Sequence, residues 1–107
     1  MRLIDLDPRW IMDGDHRIGF VFRSPIRRDE WQSCFPNPPS VGEQIDHFER
    51  ILADDIAQPC RVGAHWTIVG GIEAATFETM TVTPSLDGSA GGLWHGHITN
   101  GEIVGGI

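Results

Sequence analysis

The sequence predicts an α+β domain over residues 1–107: a mostly antiparallel β-sheet with one amphipathic helix packed on a face and a C-terminal β-hairpin. Three observations carry that prediction. Asn100-Gly101 lies between two alternating segments, and a two-residue type I′ turn needs φ > 0 at both central positions, which Asn and Gly tolerate. Ser40-Val41-Gly42-Glu43 has the form of a capping box and is followed by Ile45, Phe48, Leu52 and Ile56 at helical spacing. Strand-like segments flank that single helix on both sides, which places the chain in the α+β class.

Taken in order, residues 1–6 set Leu3 against Ile4 and Leu6 and read as a short strand, with Asp5 and Asp7 on its solvated side. Asp13-Gly14-Asp15 is a turn. Residues 18–23 form a strand with Ile18, Phe20 and Phe22 on one face, ended by Pro25, and residues 31–35 form another. Pro36-Asn37-Pro38-Pro39 is a rigid connector that neither a helix nor a central strand accommodates. The helix then runs to Pro59. Its polar face carries Glu43, Asp46, His47, Arg50 and Asp54, and Asp54 and Asp55 fall in the last turn. There the helix dipole disfavours each negative charge by roughly a few tenths of a kcal/mol.

The remainder reads as β. Residues 64–69 form a strand ended by Gly70-Gly71. Residues 77–83 alternate Thr79, Thr81 and Thr83 against Met80 and Val82, and Pro84-Ser85 stops them. Residues 87–92 are a small-residue loop. Centring the terminal turn on Asn100-Gly101 pairs Thr99 with Glu102 and Ile98 with Ile103. It also puts Trp94, Gly96 and Ile98 on one face of the strand and His95 and His97 on the other.

Composition narrows the function classes. The net charge of −7 is uneven: residues 1–39 balance six Arg against six acids, and the excess lies in residues 40–107. All eight basic residues are Arg. An acidic chain is not expected to bind nucleic acid through bulk electrostatics, but it suits a basic protein surface. No apolar run is long enough for a membrane helix, and the first residues lack the pattern of a secretory signal, so a cytoplasmic protein is expected. Cys34 and Cys60 have no zinc-knuckle or redox spacing and read as ordinary thiols.

The chemical candidates are few. His95 and His97, at i and i+2 on one strand face, can chelate a metal, with His65, His16, Cys34, Cys60 or Asp87 as further ligands; none stands at a diagnostic spacing. Ser85 and Asp87 lie near each other in sequence, but there is no Gly-x-Ser-x-Gly elbow, and no hydrolase is expected. The glycines of residues 88–92 lack a phosphate-loop pattern. Arg23, Arg27 and Arg28 cluster after the second strand, either as a solvated loop balanced by Asp29 and Glu30 or as a small anion-contacting patch. The four Trp (Trp10, Trp31, Trp66, Trp94) read as core or rim residues.

Several segments resemble a family of small uncharacterised phage and prophage proteins, the DUF6527-like family. They are Leu3-Ile4-Asp5-Leu6-Asp7-Pro8-Arg9-Trp10, Gly19-Phe20-Val21-Phe22-Arg23-Ser24-Pro25 and Phe35-Pro36-Asn37-Pro38, then residues 76–87 from Thr76-Phe77-Glu78 to Ser85-Leu86-Asp87, and Trp94-His95-Gly96-His97-Ile98-Thr99-Asn100-Gly101-Glu102. The last two are the specific ones. The resemblance implies a scaffold in which a Cys-Pro-x-Cys after the second strand and a His pair in the terminal hairpin hold zinc. Here those positions read Ser24, Arg27 and Leu93, leaving His95, and a hydroxyl, a guanidinium and a leucine do not rebuild that shell. His97 stands where the family pattern leads one to expect an aromatic.

The expected function is therefore that of a non-enzymatic phage-type protein without a cofactor. It would bind a host or phage protein complex and modulate it, for example as an inhibitor of a bacterial defence system such as a CRISPR effector. The candidate partner-binding residues are Glu43, Asp46, Arg50, Asp54 and Asp55 on the helix and Arg27 and Arg28 on the loop. Two alternatives stand beside it: a zinc protein, structural or hydrolytic, using His95 and His97, and a structural module of a phage assembly.

Overall fold

Two antiparallel sheets share one aromatic core in a computed structural model that describes residues 1–37, 40–51, 66–87 and 92–106. The first sheet has the order β1 (Arg9–Asp13), β2 (His16–Arg23), β3 (Trp31–Cys34). The second has the order β4 (Thr67–Ile68), β5 (Val82–Asp87), β6 (His95–Thr99), β7 (Glu102–Val104). One short helix, α1 (Val41–Ile51), touches β1, and 3-10 turns occupy Leu3–Leu6 and Ile72–Ala74. The architecture is thus mostly antiparallel β with little helix.

The first sheet is buried on both faces. Phe20, Phe22 and Cys34 meet Ile68, Val82, Leu86, Trp94 and Ile98 of the second sheet, whereas Ile11, Val21, Trp31 and Phe35 form a separate cluster on the other side. Ile18 joins this second cluster rather than lying with Phe20 and Phe22. The reason is a bulge: Ile11 pairs with Gly19 but Met12 pairs with Arg17, so Ile18 is an extra residue and the alternation changes phase there. Between the sheets, Trp10 stacks on Phe77 at 4.3 Å and meets Phe20 edge-on at 6.0 Å. The Arg17 guanidinium covers the Trp10 ring at 4.2 Å. Its Nη1 donates to the carbonyls of Ile72 (3.2 Å) and Ala75 (3.1 Å), which fastens the second 3-10 turn to β2.

Four further expectations from the sequence are corrected. Residues 3–6 are a 3-10 turn, not a strand. Asp5 Oδ2 accepts from the Arg2 N–H and the Asp5 N–H donates to the Arg2 carbonyl, both at 3.0 Å. The three-residue period then buries Leu3 and Leu6 together, where a strand would place them on opposite faces. Residues 77–83 are not one strand: Met80 N–H donates to the Thr76 carbonyl (2.9 Å), closing a turn, and β5 begins at Val82. Pro84 does not stop β5. The pairing with β6 is irregular between Val82 and Leu86, so the amide that Pro84 lacks falls where the regular ladder is interrupted. Finally, Ile45 is 42% exposed, and α1 buries Gln44 and His47, three residues apart, on its inward side. The rest of the stripe (Phe48, Leu52, Ile56) and the helix end at Pro59 lie outside what is described, as do residues 64–65 of the predicted strand, the loop glycines at 88–91 and Cys60.

At the terminal turn, Thr99 pairs with Glu102 and Ile98 with Ile103, across Asn100 and Gly101 at φ 48 and 73. Trp94, Gly96 and Ile98 face inward, and His95 and His97 outward. Residues 1–3 lie along the outer edge of β7: Leu3 N–H donates to the Gly101 carbonyl (2.8 Å) and Ile103 N–H to the Met1 carbonyl (2.9 Å). The N-terminal segment thereby occupies amide and carbonyl groups that an edge strand otherwise exposes.

Two buried polar atoms on the shared face have no hydrogen-bond partner among the described residues, Ser24 Oγ and Gln32 Oε1. The Gln32 amide is oriented by its Nε2, which donates to the Trp94 carbonyl at 2.8 Å. A buried, unpaired hydroxyl costs free energy that alanine does not. Ser24→Ala is expected to stabilise the fold by about 1 kcal/mol, measured as a shift of the urea midpoint at unchanged m; destabilisation would show that the hydroxyl has a partner.

Candidate functional site

The outer face of β5 and β6 brings together the polar side chains with the most chemistry. Asp87 pairs with His95 and Leu86 with Gly96, so the inward turn of Leu86 and Gly96 directs Asp87, Ser85, His95 and His97 outward. His95 is held from both neighbours. The Trp94 indole folds beneath Gly96, where an added Cβ would overlap that ring and stand 2.6 Å from the Val104 carbonyl. The indole N–H in turn donates to the Gly105 carbonyl at 2.7 Å. Gly96 is therefore the residue that lets a buried tryptophan and an exposed histidine sit side by side on one strand.

Each ring nitrogen of His95 faces a polar neighbour. Nε2 lies 3.2 Å from Ser85 Oγ, and Nδ1 lies 3.9 Å from Asp87 Oδ1. The Ser85 backbone is held as well, since its carbonyl accepts from the Trp66 indole N–H at 3.1 Å. With the proton on Nδ1 facing the carboxylate, the Nε2 lone pair accepts from the serine hydroxyl, in the order hydroxyl, imidazole, carboxylate. The histidine and aspartate side chains are each more than half exposed, so the pair is screened by water. The sequence offered one signal for this grouping, the nearness of Ser85 and Asp87 along the chain. What it lacked was the extension of the strand through Pro84 and the register that sets Asp87 opposite His95.

For the alternative of a metal site at His95 and His97, no three His, Cys, Asp or Glu side chains gather to hold an ion among the described residues. His65 lies outside the described residues.

The proposed partner-binding residues are distributed over two regions. On α1, the Ser40 hydroxyl accepts from the Glu43 N–H at 3.3 Å, an N-cap that starts the helix as its sequence dictates. Glu43, Ile45 and Asp46 are exposed. Arg50 lies in α1 with its side chain outside the described set, and Asp54 and Asp55 lie outside it altogether. The second region is the loop after β2, closed by Ser24 N–H to the Glu30 carbonyl (2.9 Å) and Glu30 N–H to the Arg27 carbonyl (2.9 Å). Arg27 and Arg28 are exposed there; Arg27 lies 3.9 Å from Glu30, and Arg28 reaches Met1 Sδ at 3.6 Å. Arg23 instead lies over the buried Trp31 ring at 4.1 Å, with Arg9 at 5.1 Å from the same ring. That position makes Arg23 a packing element more than a solvated patch.

The loop and the approach to β6 meet in space: Arg27 Nη1 lies 3.5 Å from the Cβ position of Gly92, and Gln32 reaches the Trp94 carbonyl. Among the described residues, no helix is long and apolar enough to cross a membrane. No family model, curated protein or solved structure matches the chain.

Proposed function

We propose that this chain acts by binding a protein partner through the solvent face of α1. The observation that carries this reading is Ile45. It belongs to the apolar stripe of an amphipathic helix, yet it stands 42% exposed beside exposed Glu43 and Asp46. A helix that exposes an apolar side chain together with carboxylates suits a partner that presents a basic surface around an apolar contact. The acidic balance of residues 40–107 favours the same class of partner and disfavours nucleic acid. The partner class proposed is a host or phage protein complex with a basic channel, such as the nucleic-acid groove of a defence effector. The phage-type part of this proposal rests on the family resemblance. The meeting of the loop at Ser24 and Arg27 with the approach to His95 is compatible with the scaffold which that resemblance implies.

The test compares the wild-type chain with Glu43→Lys/Asp46→Lys and with Ile45→Ser in pull-downs from lysate of a bacterial host, then by titration against the captured complex. Both variants are expected to weaken binding by 10-fold or more, about 1.4 kcal/mol each, with the thermal melting of each variant recorded alongside to show that it is folded. Undiminished binding by both variants would remove α1 from the interface.

A further inference from the structure

We propose that Ser85, His95 and Asp87 form a solvent-open acyl-transfer site, with Ser85 as nucleophile, His95 as general base and Asp87 as a positioning residue. The proposal is independent of the α1 surface. It stands on three observations. The Ser85 hydroxyl is within hydrogen-bond distance of His95 Nε2 (3.2 Å), so the nucleophile and its base are already in contact. The other ring nitrogen faces a carboxylate at 3.9 Å, on the side where a proton on Nδ1 would leave Nε2 free to accept. All three side chains are placed by backbone order: Asp87 is opposite His95 in the ladder, Ser85 is two residues before Asp87 on the same strand, and the Trp66 indole ties down the Ser85 carbonyl.

The chemistry also sets the substrate class. Among the described residues the site is an open sheet face, with the His95 and Asp87 side chains more than half exposed, and its three side chains supply no oxyanion donor. Such a site suits activated acyl donors, esters whose leaving group departs readily, and not peptide amides, which need a stabilised tetrahedral oxyanion and a protonated leaving amine. In the acylation step, Ser85 Oγ forms a bond to the acyl carbon while its proton passes to His95 Nε2. The carbon–oxygen bond to the leaving group breaks, and the leaving alkoxide takes that proton. Water then attacks the acyl-serine, giving its proton to Nε2. The acid is released, and Ser85 Oγ recovers a proton from His95. The net reaction is ester plus water to acid plus alcohol.

The experiment is covalent labelling of the intact chain with a fluorophosphonate, in which Ser85 Oγ displaces fluoride at phosphorus, followed by peptide mass mapping. The expected result is an adduct on Ser85. The labelling rate should fall about 100-fold in His95→Gln, the lower end of what a positioned general base supplies, and return towards wild type when imidazole is added to His95→Ala. Asp87→Asn should label more slowly and Asp87→Glu should retain the rate, a pattern that simple loss of folding would not produce. No adduct on Ser85 in the wild-type chain, which requires no variant to fold, would overturn the assignment. So would equal labelling rates in the wild type and His95→Gln.

Discussion

Trp94→Ala is expected to lower stability by about 3–5 kcal/mol and to leave a substantial unfolded population at 37 °C. Trp94 is fully buried, meets Phe22 edge-on at 6.1 Å, lies under Gly96 and donates its indole N–H to the Gly105 carbonyl at 2.7 Å. Removing the ring therefore takes away apolar contact with the opposite sheet, opens a cavity and frees a carbonyl, three losses that act together. A domain of this size has about 5–15 kcal/mol of stability in total, so the melting temperature is expected to fall by roughly 15–30 °C. Trp94→Phe keeps an aromatic ring against Phe22 but loses the hydrogen bond, and should lie between the two. The measurement is urea denaturation followed by far-ultraviolet circular dichroism, which does not depend on the fluorescence of the residue removed. A loss under 1 kcal/mol would mean that the two sheets do not dock through this ring.

Gly101→Val should be nearly as damaging, by a different route. Gly101 has φ 73, and a Cβ there would run into the Glu78 carbonyl. Its own N–H donates to the Met80 carbonyl (2.9 Å), and its carbonyl accepts from the Leu3 N–H (2.8 Å). The residue is a junction between the terminal turn, the turn before β5 and the N-terminal segment, so the backbone has no direction in which to relax. A left-handed conformation costs a side chain roughly 1–2 kcal/mol, more for a β-branched one. Displacing the Glu78 carbonyl should bring the total to about 3 kcal/mol or more. Gly105 supplies the control, because it has φ 80 with nothing within 4 Å of an added Cβ. Gly105→Val is expected to lose only the conformational part, and the difference between the two variants reads the steric part. Equal losses would show that the contact at Glu78 is soft.

Local signals in the sequence were sufficient where one short-range rule governs a segment. Asn100-Gly101 specifies its own turn, and with it the register of Ile98 on Ile103 and the outward placement of His95 and His97. Ser40 specifies where α1 starts. The sequence misleads where a distant partner decides. Leu3 and Leu6 turn inward together because the core of the other sheet lies to one side of them, which no alternation rule at residues 1–6 reveals. Pro84 reads as a terminator because a regular strand excludes it, but an irregular stretch of ladder does not. Ile45 reads as core because hydrophobic spacing reports which residues share a face and not which face is covered. The Ser85–His95 contact was illegible for the same reason as β5, since it exists only once residues 82–87 are one strand.

The hydrogen bonds between residues 1–3 and residues 101–103 also bear on how the protein is made. On the ribosome, Met1 and Leu3 leave the exit tunnel with their backbone partners Ile103 and Gly101 still untranslated. Phe20 and Phe22 can cover Leu3 and Leu6 early, but the hydrogen bonds to residues 101–103 wait for that turn to emerge. Closure must then bring residues 1–3 against residues 101–103, segments far apart in sequence, an entropically costly step that sets a slow pace for a small domain. Until that closure the outer edge of β7 lacks the N-terminal segment that covers it. The nascent protein is thus more exposed to chaperones and to self-association than the finished one.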